Sequence, residues 1–171
     1  MGSGSQILIE IYTDGGCSGN PGPGGWAYVI IRTDDPRNED GENCVQSASG
    51  PVILAENWGA DESTTNNRME LFAVISALKA LSLEEPEAEK VTVFTDSQYV
   101  QKGISEWILA WKRNSWRTSG KKPVKNQDLW LELDALAASL PITWKWVKGH
   151  AGNEYNERCD ALTQKAIARN W

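Results

Sequence analysis

The chain has 171 residues, 40% of them hydrophobic and only 7 of them proline, which suits one globular domain with a sizeable core and no disordered half. Its net charge of −6 argues, taken globally, against a polyanionic partner. No apolar run approaches a membrane span, and the three cysteines Cys17, Cys44 and Cys159 lack the spacing of a zinc site or a disulfide framework. The N-terminal MGSGS, residues 1–5, has neither the basic nor the apolar part of a signal peptide and reads as a tag-like scar, leaving 6–171 as a single domain. A soluble, cytoplasmic monomer without membrane contact is expected.

In chain order, Ile7, Ile9 and Ile11 alternate with Leu8, Glu10 and Tyr12 as a strand does, and the Asp-Gly-Gly that follows is expected to stop it. Asp14 is then a strand-end carboxylate, open either to plain turn chemistry or to metal ligation. Trp26–Arg32 reads as a second strand, antiparallel to the first across a glycine-rich turn. Residues 33–50 form a long acidic excursion before a third strand at Val52–Trp58. TTNNR at 64–68 leads into the helical pattern MELFAVISALKAL, with Asn67 as expected N-cap and Glu70 as the acidic half of a capping box.

Lys90–Phe94 is a short β-branched strand, followed by Asp96 as another strand-end carboxylate or as the N-cap of a helix over Gln98–Lys102. Gly103 is expected to break that helix, which resumes over Ser105–Arg113. From Lys112 to Lys125 the chain carries Lys112, Arg113, Arg117, Lys121, Lys122 and Lys125 without an acid, interleaved with Trp111 and Trp116. Despite the acidic whole, this is a local cationic patch with aromatics, the composition of a nucleic-acid surface as well as of a solvated face. An amphipathic helix follows over Asn126–Ser139, then an alternating strand over Ile142–Val147. The loop Lys148–Asn153 holds the only histidine, His150. In the last helix, from about Asn156, Cys159, Leu162 and Ala166 face one way while Asp160 shares a polar side with Glu157 and Gln164.

The order βββ, helix, β, helices, β, helix is α/β with a mixed sheet. Strand ends and early helical turns place Asp14, Glu70, Asp96 and Asp160 where they can converge. Four such carboxylates stay ionised together only with divalent cations, and oxygen ligands point to magnesium or manganese. Two ions about 4 Å apart suit in-line displacement at phosphorus.

Several segments taken in order, TDGGCSGNPGPGGW from Thr13, TTNNRMEL from Thr64, TDSQYV from Thr95, WKRNSWRTSGKKPVKNQDLW from Trp111 and VKGHAGNEYNERCDAL from Val147, closely resemble type 1 ribonuclease H of the bacterial kind. The resemblance covers nearly the whole chain. It implies the ribonuclease H-like fold: a five-stranded mixed sheet, with strands 1–3 antiparallel and strands 4 and 5 parallel to strand 1, flanked by helices. It implies hydrolysis of the RNA strand of an RNA/DNA hybrid, without sequence readout, giving 5′-phosphate and 3′-hydroxyl ends. By resemblance Asp14, Glu70, Asp96 and Asp160 are the catalytic, metal-binding carboxylates for two Mg2+ ions, with Mn2+ as an alternative. His150 matches a loop histidine that helps proton transfer or product departure, and Glu157 an acid that influences metal occupancy.

The same resemblance makes Trp111, Lys112, Arg113, Trp116, Lys121 and Lys122 part of a basic protrusion gripping the DNA strand. It places Asn20, Asn67 and Gln98 against the RNA strand, Thr65 with Asn20 at a DNA phosphate, and Asn66 among the substrate-binding residues. The excursion 33–50 is longer and more acidic than the family's usual connection, and its charge is expected to turn it away from nucleic acid. The chief alternatives are an exonuclease or integrase relative and a hybrid-binding module without catalysis. Gly15 and Gly16 after Asp14 count against the Asp-x-Glu pair of the exonuclease, and the intact carboxylates count against the inactive module.

Overall fold

A computed structural model describes residues 7–34, 51–148 and 153–168, so most of the acidic excursion and His150 lie outside the described residues. The strands are β1 (Ile7–Cys17), β2 (Gly22–Asp34), β3 (Val52–Thr64), β4 (Lys90–Thr95) and β5 (Ile142–Trp146). The helices are α1 (Asn66–Glu84), α2 (Gln98–Lys102), α3 (Ile108–Arg113), α4 (Gln127–Ala138) and α5 (Glu154–Ala168). The strands form one five-stranded sheet in the order β3-β2-β1-β4-β5. β1 to β3 pair antiparallel, while β4 pairs parallel with β1 and β5 parallel with β4, as the resemblance implies.

Alternation along the strands decides which layer each side chain joins. Ile9, Ile11, Tyr28 and Ile30 enter the larger core with Leu71, Val74 and Leu78 of α1 and Trp130 and Leu133 of α4. Tyr12, Val29 and Ile31 point to the other face, where Cys159 of α5 meets them. The sheet is therefore covered on both sides, and α5 brings its residues in from the face opposite α1. No helix among the described residues is long and apolar enough to cross a membrane.

Several boundaries differ from the sequence reading. β1 does not stop at Asp14; it runs on to Cys17, paired rung by rung with Gly24 and Gly25 of β2. The glycines carry no side chain to signal a strand, yet their backbone groups continue the ladder, as glycine does where other backbone packs close. β3 likewise extends to Thr64, with Trp26 opposite Gly59 and Gly22 opposite Thr64. The N-cap of α1 is Thr65, whose Oγ1 accepts the Arg68 N–H at 3.2 Å, so Asn67 lies inside the first turn and Glu70 belongs to no capping box.

Gly103 does not break its helix. The backbone continues from α2 through a π-helical turn at Gly103–Trp107 into α3, and Gly103 is needed for a different reason: a Cβ there would collide with the Trp130 ring. β5 ends one residue early, at Trp146, and α5 starts at Glu154, two residues sooner than its spacing indicated. Asn153 explains that start, because its Oδ1 accepts the N–H groups of Tyr155 at 2.9 Å and Asn156 at 3.1 Å.

Candidate active site

The parallel pairing of β1 with β4 ends at Tyr12 opposite Phe94. The ladder between them ends there, and two residues further on stand Asp14, still within β1, and Asp96, just past the end of β4. A sheet edge that opens in this way is where ligands of α/β proteins bind. Asp14 is still held by antiparallel pairing with Ala27 of β2, so its backbone is fixed on one side and open on the other.

Glu70 reaches the same point from α1, in the helix's second turn. Its approach depends on Gly15: a Cβ at that position would run into the Met69–Glu70 peptide, so only glycine lets β1 and α1 come this close. Carboxylate oxygens of Asp14, Glu70 and Asp96 consequently lie within 4.8 Å of one another. Asp160 is not within that group. It stands across a small cleft, in the second turn of α5, and lines it with Asp14, Asp96, Asn156 and Glu157.

The electrostatics follow from crowding and burial. Burial, first, and the charges of Asp96 and Asp160, next, push Asp14 from an ordinary 3.8 up to about 7. Glu70 is raised well above the usual carboxylate range, again chiefly by burial and then by Asp14 and Asp96. The Glu70 Oε2 atom is buried without a hydrogen-bond partner among the described residues. A buried carboxylate oxygen left unsatisfied beside two other carboxylates is costly unless a cation completes it, so this donor set fits a hard divalent metal.

The other predicted residues fall into two groups. Near the turn between β1 and β2, Asn20 Oδ1 accepts the Asn66 N–H at 3.2 Å, which brings Asn20 to the head of α1 beside Thr65 and the exposed Asn67. Gln98 opens α2, two residues after Asp96, and is exposed. These polar residues stand at the starts of α1 and α2, the helix that carries Glu70 and the one that follows Asp96.

The second group is the basic segment between α3 and α4, which is a built structure. Its backbone closes through Trp116 N–H to Trp111 O at 2.7 Å, Thr118 N–H to Lys122 O at 2.7 Å and Val124 N–H to Trp116 O at 3.1 Å. Ser115, Trp116, Lys121 and Asn126 adopt left-handed φ of 55° to 63°, as tight turns require. Trp111 and Trp116 are half buried and pack on each other, and Trp111 also meets Trp130 edge-on, so the rings anchor the protrusion to the core. Arg113, Arg117 and Lys121 line a shallow concavity with Asn114, Ser115, Thr118 and Ser119. Lys112 turns away, paired at 2.8 Å with Asp134 of α4.

One connection between the groups had no signal in the sequence. Arg68, between Asn67 and Glu70, makes a two-pronged pair with Asp128 at 3.1 and 3.0 Å and also donates to Asn126 Oδ1 at 3.3 Å. Tyr99 joins it, its hydroxyl accepting from Asn126 and from the Trp130 indole, both at 3.0 Å. The base of the protrusion is thereby tied to the helix that carries Glu70. Asn156 was also missed; it lies four residues before Asp160 on α5, a spacing that places it on the same face. His150 remains outside the described residues.

Comparison with known proteins gives this arrangement its relatives. A family model described as RNase H matches residues 6–168. A ribonuclease H of Treponema denticola is 53% identical, covering 94% of this chain and 98% of its own length. The ribonuclease H of Chromobacterium violaceum is 51% identical over 95% and 97%. Among solved structures, LC9-RNase H1, a type 1 RNase H with the type 2 active-site motif, superposes with a TM-score of 0.78 at 30% identity, covering 95% of this chain and 72% of that one. LC11-RNase H1, solved in complex with an RNA/DNA hybrid, has a TM-score of 0.63 at 25% identity over 93% and 96%. Fold, carboxylate geometry and matched sequence agree, and the chain belongs to the RNase H family.

Proposed function

We propose that the chain is a metal-dependent endoribonuclease that cuts the RNA strand of RNA/DNA hybrids without sequence preference, leaving 5′-phosphate and 3′-hydroxyl ends. The observation that carries this reading is the convergence of Asp14, Glu70 and Asp96 within 4.8 Å at the opened sheet edge. The family's named ribonucleases H and the hybrid-bound LC11-RNase H1 support the substrate class.

Asp14, Glu70 and Asp96 would hold the metal, with Asp160 joining from across the cleft; two Mg2+ ions are the expected occupants and Mn2+ a substitute. When bound, such ions neutralise the carboxylates and act as Lewis acids on the attacking water and the leaving oxygen at phosphorus. The chain's own work is positional and protonic. Burial disfavours the charged forms of Asp14, raised to about 7, and of Glu70, raised well above the usual carboxylate range, so metal binding at this site is coupled to proton release. Gly15 holds the two carboxylates at fixed separation by locking α1 against β1.

Further contacts to the substrate lie away from the carboxylates. Arg113, Lys121 and Lys122, with Arg117, would meet phosphates of the DNA strand, while Trp111 and Trp116 support the platform they stand on. Asn20, Thr65, Asn66, Asn67 and Gln98 offer amide and hydroxyl groups to the minor groove, where a 2′-hydroxyl separates RNA from DNA. His150 enters from its place in the sequence motif, as a group for proton transfer or product departure. Residues 6–171 are read as one catalytic domain, a reading supported by the family match over residues 6–168.

The test compares a labelled hybrid with single-stranded RNA, duplex RNA and duplex DNA, each with Mg2+ and with chelator. Mg2+-dependent cutting of the hybrid's RNA strand alone is the expected outcome. Binding without cutting would replace this reading with an inactive hybrid-binding module.

A further inference from the structure

Asp96 differs from Asp14 in how its backbone is held. Asp14 sits inside a strand with a ladder partner, whereas Asp96 lies one residue past the end of β4, in the turn that leads to α2. A ligand carboxylate has to be fixed within about 0.5 Å to stay productive, and a turn does not supply that by itself. The neighbouring peptides are held: Thr95 O accepts the Val147 N–H at 2.9 Å, and the Ser97 N–H donates to Thr95 Oγ1 at 3.1 Å. Asp96's own carbonyl accepts from a side chain, the indole N–H of Trp146, at 3.1 Å.

Trp146 is unusual for where it stands. β5 is an edge strand, and on it Ile142, Trp144 and Trp146 share one face. Ile142 and Trp144 pack against the large core, but Trp146, opposite Thr95 in the last rung, has passed the core's rim and is 40% exposed. At that exposure the burial gained by a tryptophan over phenylalanine or leucine is small. What neither alternative has is an N–H that reaches a main-chain carbonyl.

We propose that Trp146 is a positioning residue for Asp96: its indole N–H, bonded to the Asp96 carbonyl, fixes the peptide from which the carboxylate is aimed at Asp14 and Glu70. The inference rests on the reading of Asp96 as a metal ligand. Partners that orient metal ligands typically contribute 10- to 100-fold in metal affinity or activity, and a bond to the ligand's main chain belongs at the lower end.

Two replacements test it in the full chain. Trp146→Phe removes the donor and trims the ring; benzothienylalanine at position 146 keeps the ring's size and exchanges N–H for sulfur. Each is measured by calorimetric titration with Mn2+ in the absence of nucleic acid, by hybrid-cleavage kinetics and by thermal melting with chelator. Both are expected to weaken Mn2+ binding by about 10-fold and to lower kcat by a similar factor, with KM for the hybrid and the metal-free melting temperature little changed. Parent-like Mn2+ affinity and kcat in the benzothienylalanine protein would overturn the proposal, whatever the phenylalanine variant does. A raised KM at unchanged kcat would overturn it too, making Trp146 a substrate contact. Asp96→Asn in the same titration separates the two levels: if it left Mn2+ affinity intact, the ligand reading itself would fail, whereas lost affinity there with parent-like Trp146 replacements would sink only the positioning role.

Discussion

Asp14 carries its proton up to about 7 because burial and the neighbouring Asp96 and Asp160 disfavour its charge, and this has a consequence for stability. The folded state holds the proton more tightly than the unfolded chain, whose aspartates titrate near the ordinary 3.8. The group's contribution is therefore fully present below about pH 4 and is lost as pH rises through about 7. In chelator, Asp14→Asn should melt progressively higher than the parent as pH goes from 4.5 to 8, with the gap levelling off above the folded value. Melting curves at several pH values check this, and a gap independent of pH would contradict the burial account. Mg2+ added at pH 8 should raise the parent's melting temperature and the variant's much less, since a carboxylate is the ligand lost. Asp14 and Asp96 were legible in the sequence because the β-branched, apolar runs before them point to them. Spacing alone made Glu70 the acid of a capping box, and its place among the carboxylates came from the resemblance; the N-cap role expected of Asn67 went to Thr65, since helix starts depend on φ and ψ that residue types only bias.

At the scale of elements, the sequence was read well where side chains alternate or repeat at helical spacing and poorly where backbone alone makes the structure. The glycine run opposite Cys17 looked like a turn and is ladder, and Gly103 looked like a helix breaker and is a packing site. Both errors have one cause: glycine's missing side chain reads as freedom, whereas here it is clearance for atoms from elsewhere in the chain, Thr64 and Ala166 at Gly24 and Gly25 and the Trp130 ring at Gly103. Gly103→Ala tests this. Its Cβ would overlap the fully buried Trp130 ring, so the variant should lose about 1–3 kcal/mol, the usual cost of overpacking. For a domain of this size each kcal/mol moves the melting temperature by about 2–4 °C. Gly120→Ala is the comparison: it is exposed, with nothing nearer than Thr118 Oγ1 at 3.8 Å, and should melt like the parent. Gly15→Ala separates stability from function, because pushing the Met69–Glu70 peptide away displaces a proposed ligand. It should weaken Mn2+ binding in a calorimetric titration beyond what its loss of melting temperature accounts for.

The whole molecule is acidic, with a net charge of −6, yet its proposed substrate is a polyanion, so binding has to be a local matter. The protrusion between α3 and α4 concentrates cations on a scaffold closed by backbone hydrogen bonds and braced by Trp111 on Trp130. Its charges are not equivalent. Arg113, Arg117, Lys121 and Lys122 have no carboxylate partner among the described residues, whereas Lys112 is paired with Asp134 at 2.8 Å. Phosphate contacts release counterions, and each one contributes about 0.9 to the slope of log affinity against log salt. Arg117→Ala and Lys121→Ala should each flatten that slope by about 1 for an RNA/DNA hybrid, raise KM at fixed salt and leave kcat nearly unchanged. Lys112→Ala should flatten it less, because Asp134 already neutralises that charge and competes with any phosphate for it. Fluorescence-anisotropy titrations across a salt series, run in chelator so that cleavage does not intervene, measure the slopes directly. Equal effects at Lys112 and Lys121 would mean that the Lys112–Asp134 pair opens when substrate arrives, and slopes unchanged in all three variants would move the phosphate-binding surface off the protrusion altogether.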